Sequence, residues 1–180
     1  MTGFKDRILR AAKLDAALYE EVEADKSAMP QAMAVVVLSS VAAGIGGIGM
    51  GMAGPGSILM GIIVSLVGWY IWAFLTYFIG TKLLPEPQTH ADLGELLRTI
   101  GFSSSPGLIR ILGIIPGLGA MVFLVASIWM LVAMVIAVRQ ALDYKSTWRA
   151  VGVCAIGWVI QSVIIIVLFS LFGGFAPPAG

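Results

Sequence analysis

Long stretches without a charged residue constrain this chain more than any other feature of its sequence. Four of them cover residues 31–52, 58–79, 120–138 and 151–172, and each has the 19 to 22 residues that a helix needs to cross a bilayer core of about 30 Å. Only 12% of all residues are charged, which is about half the share found in soluble domains. The sequence therefore predicts an all-α protein that lies in a lipid bilayer.

A fifth stretch, residues 96–115, is long enough to cross but carries Arg110 and a predicted helix break at Pro106. The distribution of basic residues distinguishes a crossing helix from a re-entrant loop. If the stretch crosses, the N-terminal region shares one face with segments 81–98 and 139–149, and that face holds ten of the eleven Lys and Arg residues. We therefore predict a polytopic bundle of five spans, with the N-terminus in the cytoplasm and the C-terminus outside.

The N-terminal region differs in composition from the rest of the chain. It contains five of the basic residues and six of the ten acidic residues, and apolar residues recur at helical spacing from Phe4 to Asp25. This pattern predicts one amphipathic cytoplasmic helix, which either lies on an anionic membrane surface or docks on the protein. We divide the chain into this helical region (1–30), a five-span membrane domain (31–172) and a short tail (173–180).

Small residues recur in the first two apolar stretches at spacings that favour helix packing, because small side chains let membrane helices approach closely. The predicted packing positions are Ala43, Gly47, Gly51, Gly61 and Ser65. The glycine run at 44–49 matches the letters of a dinucleotide-binding fingerprint. However, it lies inside an apolar stretch, and no acidic residue follows until Glu86. We therefore interpret the run as a packing surface.

Arg110 is the strongest candidate for a functional residue, because a guanidinium inside hydrocarbon costs several kcal/mol (about 2.5–3.5 on insertion scales) unless it finds partners. Two explanations are open. The side chain either reaches the outer headgroups along its own stem, or it hydrogen-bonds inside the membrane. Its predicted partners are Gln161 and Ser162 of the last apolar stretch, or carbonyl groups exposed at the Pro106 break.

Few residues are suited to catalysis or metal binding. The chain has one histidine, His90, one cysteine, Cys154, and no pair of acids within its apolar stretches. Active sites and metal centres need several convergent groups. We therefore expect no enzymatic activity, no cofactor and no metal. A net charge of only +1 also gives no reason to expect nucleic-acid binding.

The second half of the chain resembles the Yip domain family, which is named for proteins that interact with Ypt/Rab GTPases. The similar segments are Asp92–Phe102, Pro106–Leu108, Ile114–Pro116, Trp129, Ala137–Asp143 and Arg149–Ala150. The resemblance covers roughly residues 31–172 and is to the prokaryotic branch. It implies a five-span membrane domain with a cytoplasmic N-terminus. The polar residues predicted on its cytoplasmic face are Arg98, Arg139, Gln140, Asp143 and Arg149.

Eukaryotic members of that family take part in vesicle trafficking, but their N-terminal motif with the run Asp-Leu-Tyr-Gly-Pro is not found here, so GTPase binding lacks support in this sequence. We expect a non-enzymatic scaffold or assembly factor of the prokaryotic inner membrane. Its expected partners are lipid headgroups, a cytoplasmic protein, further copies of the chain or a larger membrane complex. Two alternatives stay open: a small-molecule or ion transporter or channel, and an accessory subunit of a larger complex.

Overall fold

The computed structural model describes residues 3–52 and 54–172, and these residues form helices joined by turns and loops, with no strand among them. The predicted tail at 173–180 lies outside the described residues. Within the described part, seven α-helices follow one another: α1 (Phe4–Ala12), α2 (Ala16–Ala24), α3 (Met29–Gly49), α4 (Pro55–Phe78), α5 (Leu93–Ser103), α6 (Gly119–Ala141) and α7 (Thr147–Phe172). Shorter helical segments join some of them: a 3-10 turn at Lys26–Ala28, a π-helical turn at Ile79–Leu83 and a 3-10 helix at Ser105–Ile114.

Four of these helices are long and apolar enough to cross a membrane, at Lys26–Gly49, Gly56–Leu83, Gly119–Ala141 and Thr147–Ile164. They coincide with the four charge-free stretches of the sequence, and the prediction of an all-α integral membrane protein is confirmed. The fifth predicted stretch is not one continuous α-helix. It forms α5 and then the 3-10 helix, with a break at Ser104.

The segment 93–114, made of α5 and the 3-10 helix, runs beside α3 and in the same direction. Gly101, near the end of α5, lies against Ala32, near the start of α3, and Gly113 lies against Gly46 near the ends of both segments. Between these two contacts, residues 101–113 rise by about 23 Å, and residues 32–46 of α3 rise by about 21 Å. The two segments therefore run side by side over this distance.

The loops that follow α4 and α6 meet at one end of the bundle. The Tyr144 hydroxyl donates hydrogen bonds to the carbonyl oxygens of Gly80, at 3.0 Å, and Leu84, at 2.7 Å. The backbone N–H of Lys145 donates to a carboxylate oxygen of Glu86, at 3.1 Å. These bonds tie residues 80–86 to residues 144–145 on the same side of the structure.

The N-terminal region is two helices, and the prediction of one continuous helix from Phe4 to Asp25 is wrong on this point. The chain turns at Leu14, whose φ of 62° is left-handed. Asp15 then caps α2 by accepting a hydrogen bond from the backbone N–H of Ala17, at 3.0 Å. A side-chain cap of this kind stabilises a new helix start, so α1 folds back on α2. We call α1 and α2 together the N-terminal hairpin.

Two clusters of buried side chains hold the bundle together at the end that carries the N-terminal hairpin. The first joins α4, α5, α6 and α7 through Ala73, Leu96, Ile100, Val138 and Val153. The second joins the N-terminal hairpin to α3, α5 and α6 through Ala11, Leu18, Val22, Val35, Phe102 and Ala137. The hairpin therefore docks on the protein, which is one of the two arrangements that its sequence predicted.

The closest helix approach in α3 involves different glycines from those predicted. A Cβ atom on Gly46 would lie 2.0 Å from the carbonyl oxygen of Arg110, and one on Gly49 would lie 2.3 Å from Cα of Ile114. Gly51 lies beyond the end of α3, is exposed and has a φ of 69°. The prediction that Gly51 packs against a helix is wrong, because it provides the left-handed conformation with which the chain leaves α3.

Candidate functional site

A cleft of about 840 Å³ opens between α3, α4, α6 and α7. This volume falls within the range of about 300–1,000 Å³ that is typical of ligand-binding pockets. Three of its lining side chains are largely exposed: Ile128 by 57%, Leu131 by 61% and Trp158 by 72%. The cleft therefore opens sideways, between α6 and α7, towards the lipid that surrounds a membrane protein.

The cleft ends on packed side chains at its inner limit, nearest the N-terminal hairpin. Trp69, Trp72, Ile100 and Met134 line it there and also pack in the first buried cluster. The indole N–H of Trp69 donates to the carbonyl oxygen of Leu97, at 3.0 Å, and that of Trp72 lies 3.2 Å from the sulfur of Met134. The polar side chains of the cleft therefore end inside the bundle.

Eight polar side chains lie among the apolar residues that line the cleft. They are Ser39, Ser40, Ser57, Ser65, Ser104, Arg110, Ser127 and Gln161. Serine hydroxyls both donate and accept hydrogen bonds, whereas a guanidinium only donates and keeps its charge. No acidic side chain is found among the described residues that line the cleft. The lining is therefore mainly apolar, with several hydrogen-bonding groups and a net positive charge.

The guanidinium of Arg110 lies on the wall of this cleft. Its Nη2 donates a hydrogen bond to the Ser127 hydroxyl, at 3.1 Å, and its Cζ lies 5.5 Å from the centre of the Phe123 ring. Its Nε is buried and has no hydrogen-bond partner among the described residues. Ser127 lies eight residues after Gly119, the first residue of α6, so the contact is about 12 Å along the helix from its end.

The predicted partners of Arg110 have different positions in the structure. Gln161 lines the same cleft. Ser162 donates instead to the Trp158 carbonyl oxygen of its own helix, at 2.8 Å. Pro106 is buried at the start of the 3-10 helix, where it coincides with the predicted helix break.

The serines before Pro106 satisfy carbonyl groups near that break. Ser103 donates to the Ile100 carbonyl oxygen and Ser105 to that of Phe102, each at 2.7 Å. Sequence reasoning did not identify Ser127 as a partner of Arg110. The one sequence feature that could have indicated this contact is that Ser127 is the single hydroxyl-bearing residue in the charge-free stretch 120–138.

Three of the predicted packing residues, Ala43, Gly61 and Ser65, border the cleft where α3 and α4 face each other. A Cβ atom on Gly61 would lie 3.7 Å from the Ser40 hydroxyl oxygen, which is an ordinary contact distance. Gly47, the fourth, is buried in α3. Small side chains at the first three positions leave the space that forms the cleft.

A second polar site lies in the N-terminal hairpin and is centred on Arg7, which is only 6% exposed. Its Nε donates to Glu21 at 2.9 Å, its Nη2 to Asp25 at 2.7 Å and its Nη1 to Gln31 at 3.0 Å. Burial acts to lower the pKa of Arg7, but the hydrogen bonds and charges of Asp25 and Glu21 outweigh it, and the pKa is raised. One guanidinium therefore connects α1, the C-terminal end of α2 and the start of α3.

Arg98, predicted to lie on the cytoplasmic face, is 4% exposed and contacts the end of α2. Its Nε donates to the carbonyl oxygen of Val22, at 2.9 Å, and its Nη2 donates to that of Glu23. Cations are favourable at the C-terminal end of a helix, where carbonyl groups lack helical partners. Arg98 therefore holds the N-terminal hairpin against α5.

Glu23 lies beside Arg98 with one carboxylate oxygen buried, and this oxygen has no hydrogen-bond partner within residues 3–52 and 54–172. Burial is the main reason that the pKa of Glu23 is raised, to about 8. The acids Glu20, Asp143 and Glu95 add to the increase, while Arg98 opposes it. Glu23 is therefore an acid that the folded protein prefers to keep protonated.

The other predicted cytoplasmic-face residues, Arg139, Gln140, Asp143 and Arg149, lie at this same end of the bundle. Gln140 donates to Glu20 of α2 at 2.7 Å, and Arg149 pairs with Glu86 at 3.2 Å. These contacts connect the loops to one another and to the hairpin. The described residues contain no group of three His, Cys, Asp or Glu side chains that could hold a metal ion.

A comparison with known families matches residues 19–171 to the model described as the Yip1 domain. The matched region begins within α2 and reaches almost to the end of α7, so it includes the cleft and nearly all of the loop contacts described above. Searches of curated proteins and of solved structures give no significant match. Because the family model covers most of its length, this chain belongs to the Yip1 domain family.

Proposed function

We propose that this Yip1-domain protein is a five-span, non-enzymatic scaffold of the prokaryotic inner membrane that binds a lipid molecule in its intramembrane cleft. The observation that carries the proposal is the cleft itself. It is open on its lipid-facing side, and its mainly apolar lining includes serines, Gln161 and Arg110.

Five crossings account for the contacts between the loops. Tyr144 and Lys145 bind Leu84 and Glu86, so the loops after α4 and α6 lie on one face of the bilayer. A re-entrant segment at 93–114 would instead place these two loops on opposite faces. The course of that segment alongside α3 also favours a full crossing. The face with ten of the eleven basic residues is then the cytoplasmic one.

Lipid binding fits the cleft better than transport does. A pathway for an ion or a polar solute needs polar groups along its route to both faces, whereas the polar groups of this cleft end at Trp69, Trp72, Ile100 and Met134. Moreover, the described lining contains no acid that could carry a proton or bind a cation. A lipid needs only a lateral opening and a polar site for its headgroup.

A scaffold also fits the chemistry of the cleft better than an enzyme does. Its serine hydroxyls are weak nucleophiles unless a general base activates them. None of the described lining residues is a histidine, cysteine, aspartate or glutamate, so no such base adjoins the serines. The lining groups are instead suited to hold a polar headgroup by hydrogen bonds.

Native mass spectrometry of the protein purified in mild detergent tests this function by counting bound lipid molecules. Ser65→Trp should displace the lipid because Ser65 lines the cleft. Val64→Trp is the matched control, since Val64 is 62% exposed on the neighbouring position of α4 and does not line the cleft. We expect bound lipid on the unchanged protein and on Val64→Trp, and a clear loss on Ser65→Trp.

Two results would contradict the proposal. One is an unchanged protein that carries no lipid, and the other is equal lipid binding by both tryptophan variants. If a protein subunit co-purified in stoichiometric amounts and contacted the cleft instead, the accessory-subunit alternative would replace lipid binding.

A further inference from the structure

The intramembrane cleft continues into a second, apolar groove. This groove has a volume of about 490 Å³, lies between α4, α6 and α7, and shares Trp72, Leu131 and Trp158 with the cleft. Its remaining lining residues are Val132, Val135, Ile136, Thr147, Val151, Cys154 and Ala155. The combined cavity therefore has one part that carries the serines, Gln161 and the charge of Arg110, which we call the polar part, and one part that is almost purely apolar.

The two parts follow each other along the bundle axis. On α6, Leu131 lies one turn further towards the N-terminal hairpin end than Ser127, the partner of Arg110, and Val135 lies two turns further. On α7, the groove extends to Thr147, the first residue of that helix. The polar part therefore lies nearer the outer end of the bundle, and the apolar groove runs inward from it.

The charge of Arg110 indicates what kind of headgroup the polar part would take. Its Nε is buried without a hydrogen-bond partner among the described residues, and the described lining contributes no acid to balance the charge. A buried charged donor without a partner is unfavourable. A planar guanidinium matches the oxygens of a phosphate group particularly well, and serine hydroxyls beside it can donate further hydrogen bonds.

We propose that the cleft takes a glycerophospholipid with an anionic headgroup. The lipid phosphate accepts hydrogen bonds from Arg110, and one acyl chain lies in the apolar groove beside Trp72 and Trp158. This orientation, with the headgroup towards the outer face, is that of a lipid from the outer leaflet. The inference rests on the proposed lipid-binding function and specifies its ligand.

The inference is tested by adding defined lipids to the delipidated, full-length protein and measuring bound lipid by native mass spectrometry. The probes are phosphatidylglycerol, phosphatidylcholine and inorganic phosphate. Both lipids carry a phosphate diester that can accept hydrogen bonds from Arg110, but the choline of phosphatidylcholine brings a second cation close to the guanidinium. Like charges repel strongly where the effective dielectric constant is low, so we expect phosphatidylglycerol to bind about tenfold more tightly than phosphatidylcholine. Inorganic phosphate should compete weakly, because it has no acyl chain.

Matched variants separate the two parts of the site. Arg110→Gln should remove the preference for phosphatidylglycerol, because both lipids then lose the guanidinium contact to their phosphate and phosphatidylcholine is also relieved of the repulsion of its choline. Lys82→Gln, which removes an exposed cation away from the cleft, should leave the preference unchanged. Ala155→Trp should weaken binding of both lipids by filling the groove, and Ile156→Trp, which does not line it, should not. If Arg110→Gln does not fold, Arg110→Lys serves instead, and its preference should be smaller than that of the unchanged protein.

The possible results distinguish this inference from the proposed function. The anionic-lipid inference would be overturned, and lipid binding left in place, if both lipids bound equally well. The same conclusion would follow if the preference for phosphatidylglycerol survived in Arg110→Gln or was undiminished in Arg110→Lys. Inorganic phosphate that competes as strongly as phosphatidylglycerol would show a site for free phosphate and overturn the acyl-chain part. Absence of any lipid binding would overturn both proposals.

Discussion

Replacing Gly46 with alanine tests the contact that positions Arg110. The added Cβ would lie 2.0 Å from the carbonyl oxygen of Arg110 and 3.1 Å from its carbonyl carbon. Both are backbone atoms of the 3-10 helix, so no side-chain rotation relieves the overlap. The 3-10 helix must move away from α3, and the guanidinium must shift relative to Ser127.

The expected magnitude rests on the behaviour of overpacked interiors, where one extra methyl group costs about 1–3 kcal/mol. Gly46→Ala should reach the upper part of that range, because the group that obstructs the methyl is backbone. For a protein of this length, each kcal/mol corresponds to roughly 2–4 °C in melting temperature. We therefore expect Gly46→Ala to melt about 5–10 °C below the unchanged protein.

The matched control is Gly68→Ala, in the middle of α4. A Cβ atom there would meet no heavy atom within 4 Å, and alanine favours a helix by up to about 1 kcal/mol over glycine. Thermal unfolding in detergent, followed by tryptophan fluorescence, compares the two variants. Gly68→Ala should melt at or above the temperature of the unchanged protein. Equal melting temperatures for both variants would refute the close approach of the 3-10 helix to α3.

Two further predictions concern the N-terminal hairpin. Arg7→Ala removes the cation of Asp25 and one of the two cations that bind Glu21, which keeps its bond to Arg10. This loss should cost about 1–3 kcal/mol, and trypsin should then cleave at Lys13 much faster than in a Lys5→Ala control; equal cleavage rates would contradict the network around Arg7. Glu23→Gln should stabilise the protein at pH 8 more than at pH 5. The folded-state pKa of Glu23 is raised from 4.5 to about 8, so the unfolded state loses this proton first and stability falls as the pH rises between those values. Melting temperatures at both pH values, with Asp6→Asn as the exposed control, test this prediction, and a stabilisation that is equal at both pH values would contradict it.

Much of the fold could be predicted because it depends on local sequence properties. Four charge-free stretches became four membrane-length helices with bounds that shift by only a few residues. The break near Pro106 was also readable, because proline lacks a backbone donor and cannot continue an α-helix without loss. The 3-10 helix of ten residues after that break was not predictable, since runs longer than three or four residues are uncommon.

The errors have a common physical origin in contacts between distant segments. Gly46 and Gly49 are the glycines that allow close approach in α3, and they face the 3-10 helix. The prediction used a spacing typical of two packed α-helices, and a 3-10 helix has fewer residues per turn. The predicted packing positions were therefore different residues. The turn at Leu14 depends on hydrogen bonds between Arg7 and the acids of α2, and these bonds outweigh the helix-favouring residues on either side of the turn. The cap at Asp15 was the one local sign of that turn.

The candidate site could be predicted only in part, for a similar reason. A lone arginine in an apolar stretch identified Arg110, but its partner lies 17 residues away on another helix. The cleft itself arises from the relative positions of α3, α4, α6 and α7. No pattern within any one of those helices reports the space between them.

Cysteine labelling of the loops tests the five-span arrangement, on which the orientation of the cleft depends, most directly. In a Cys154→Ala background, single cysteines replace His90, Lys145 and Pro116, all of which are exposed, and intact cells are treated with a membrane-impermeant maleimide. Five spans predict labelling at position 116 in intact cells, and labelling at positions 90 and 145 only after the membrane is permeabilised. Labelling of position 145 in intact cells, with position 90 still protected, would contradict the five-span arrangement.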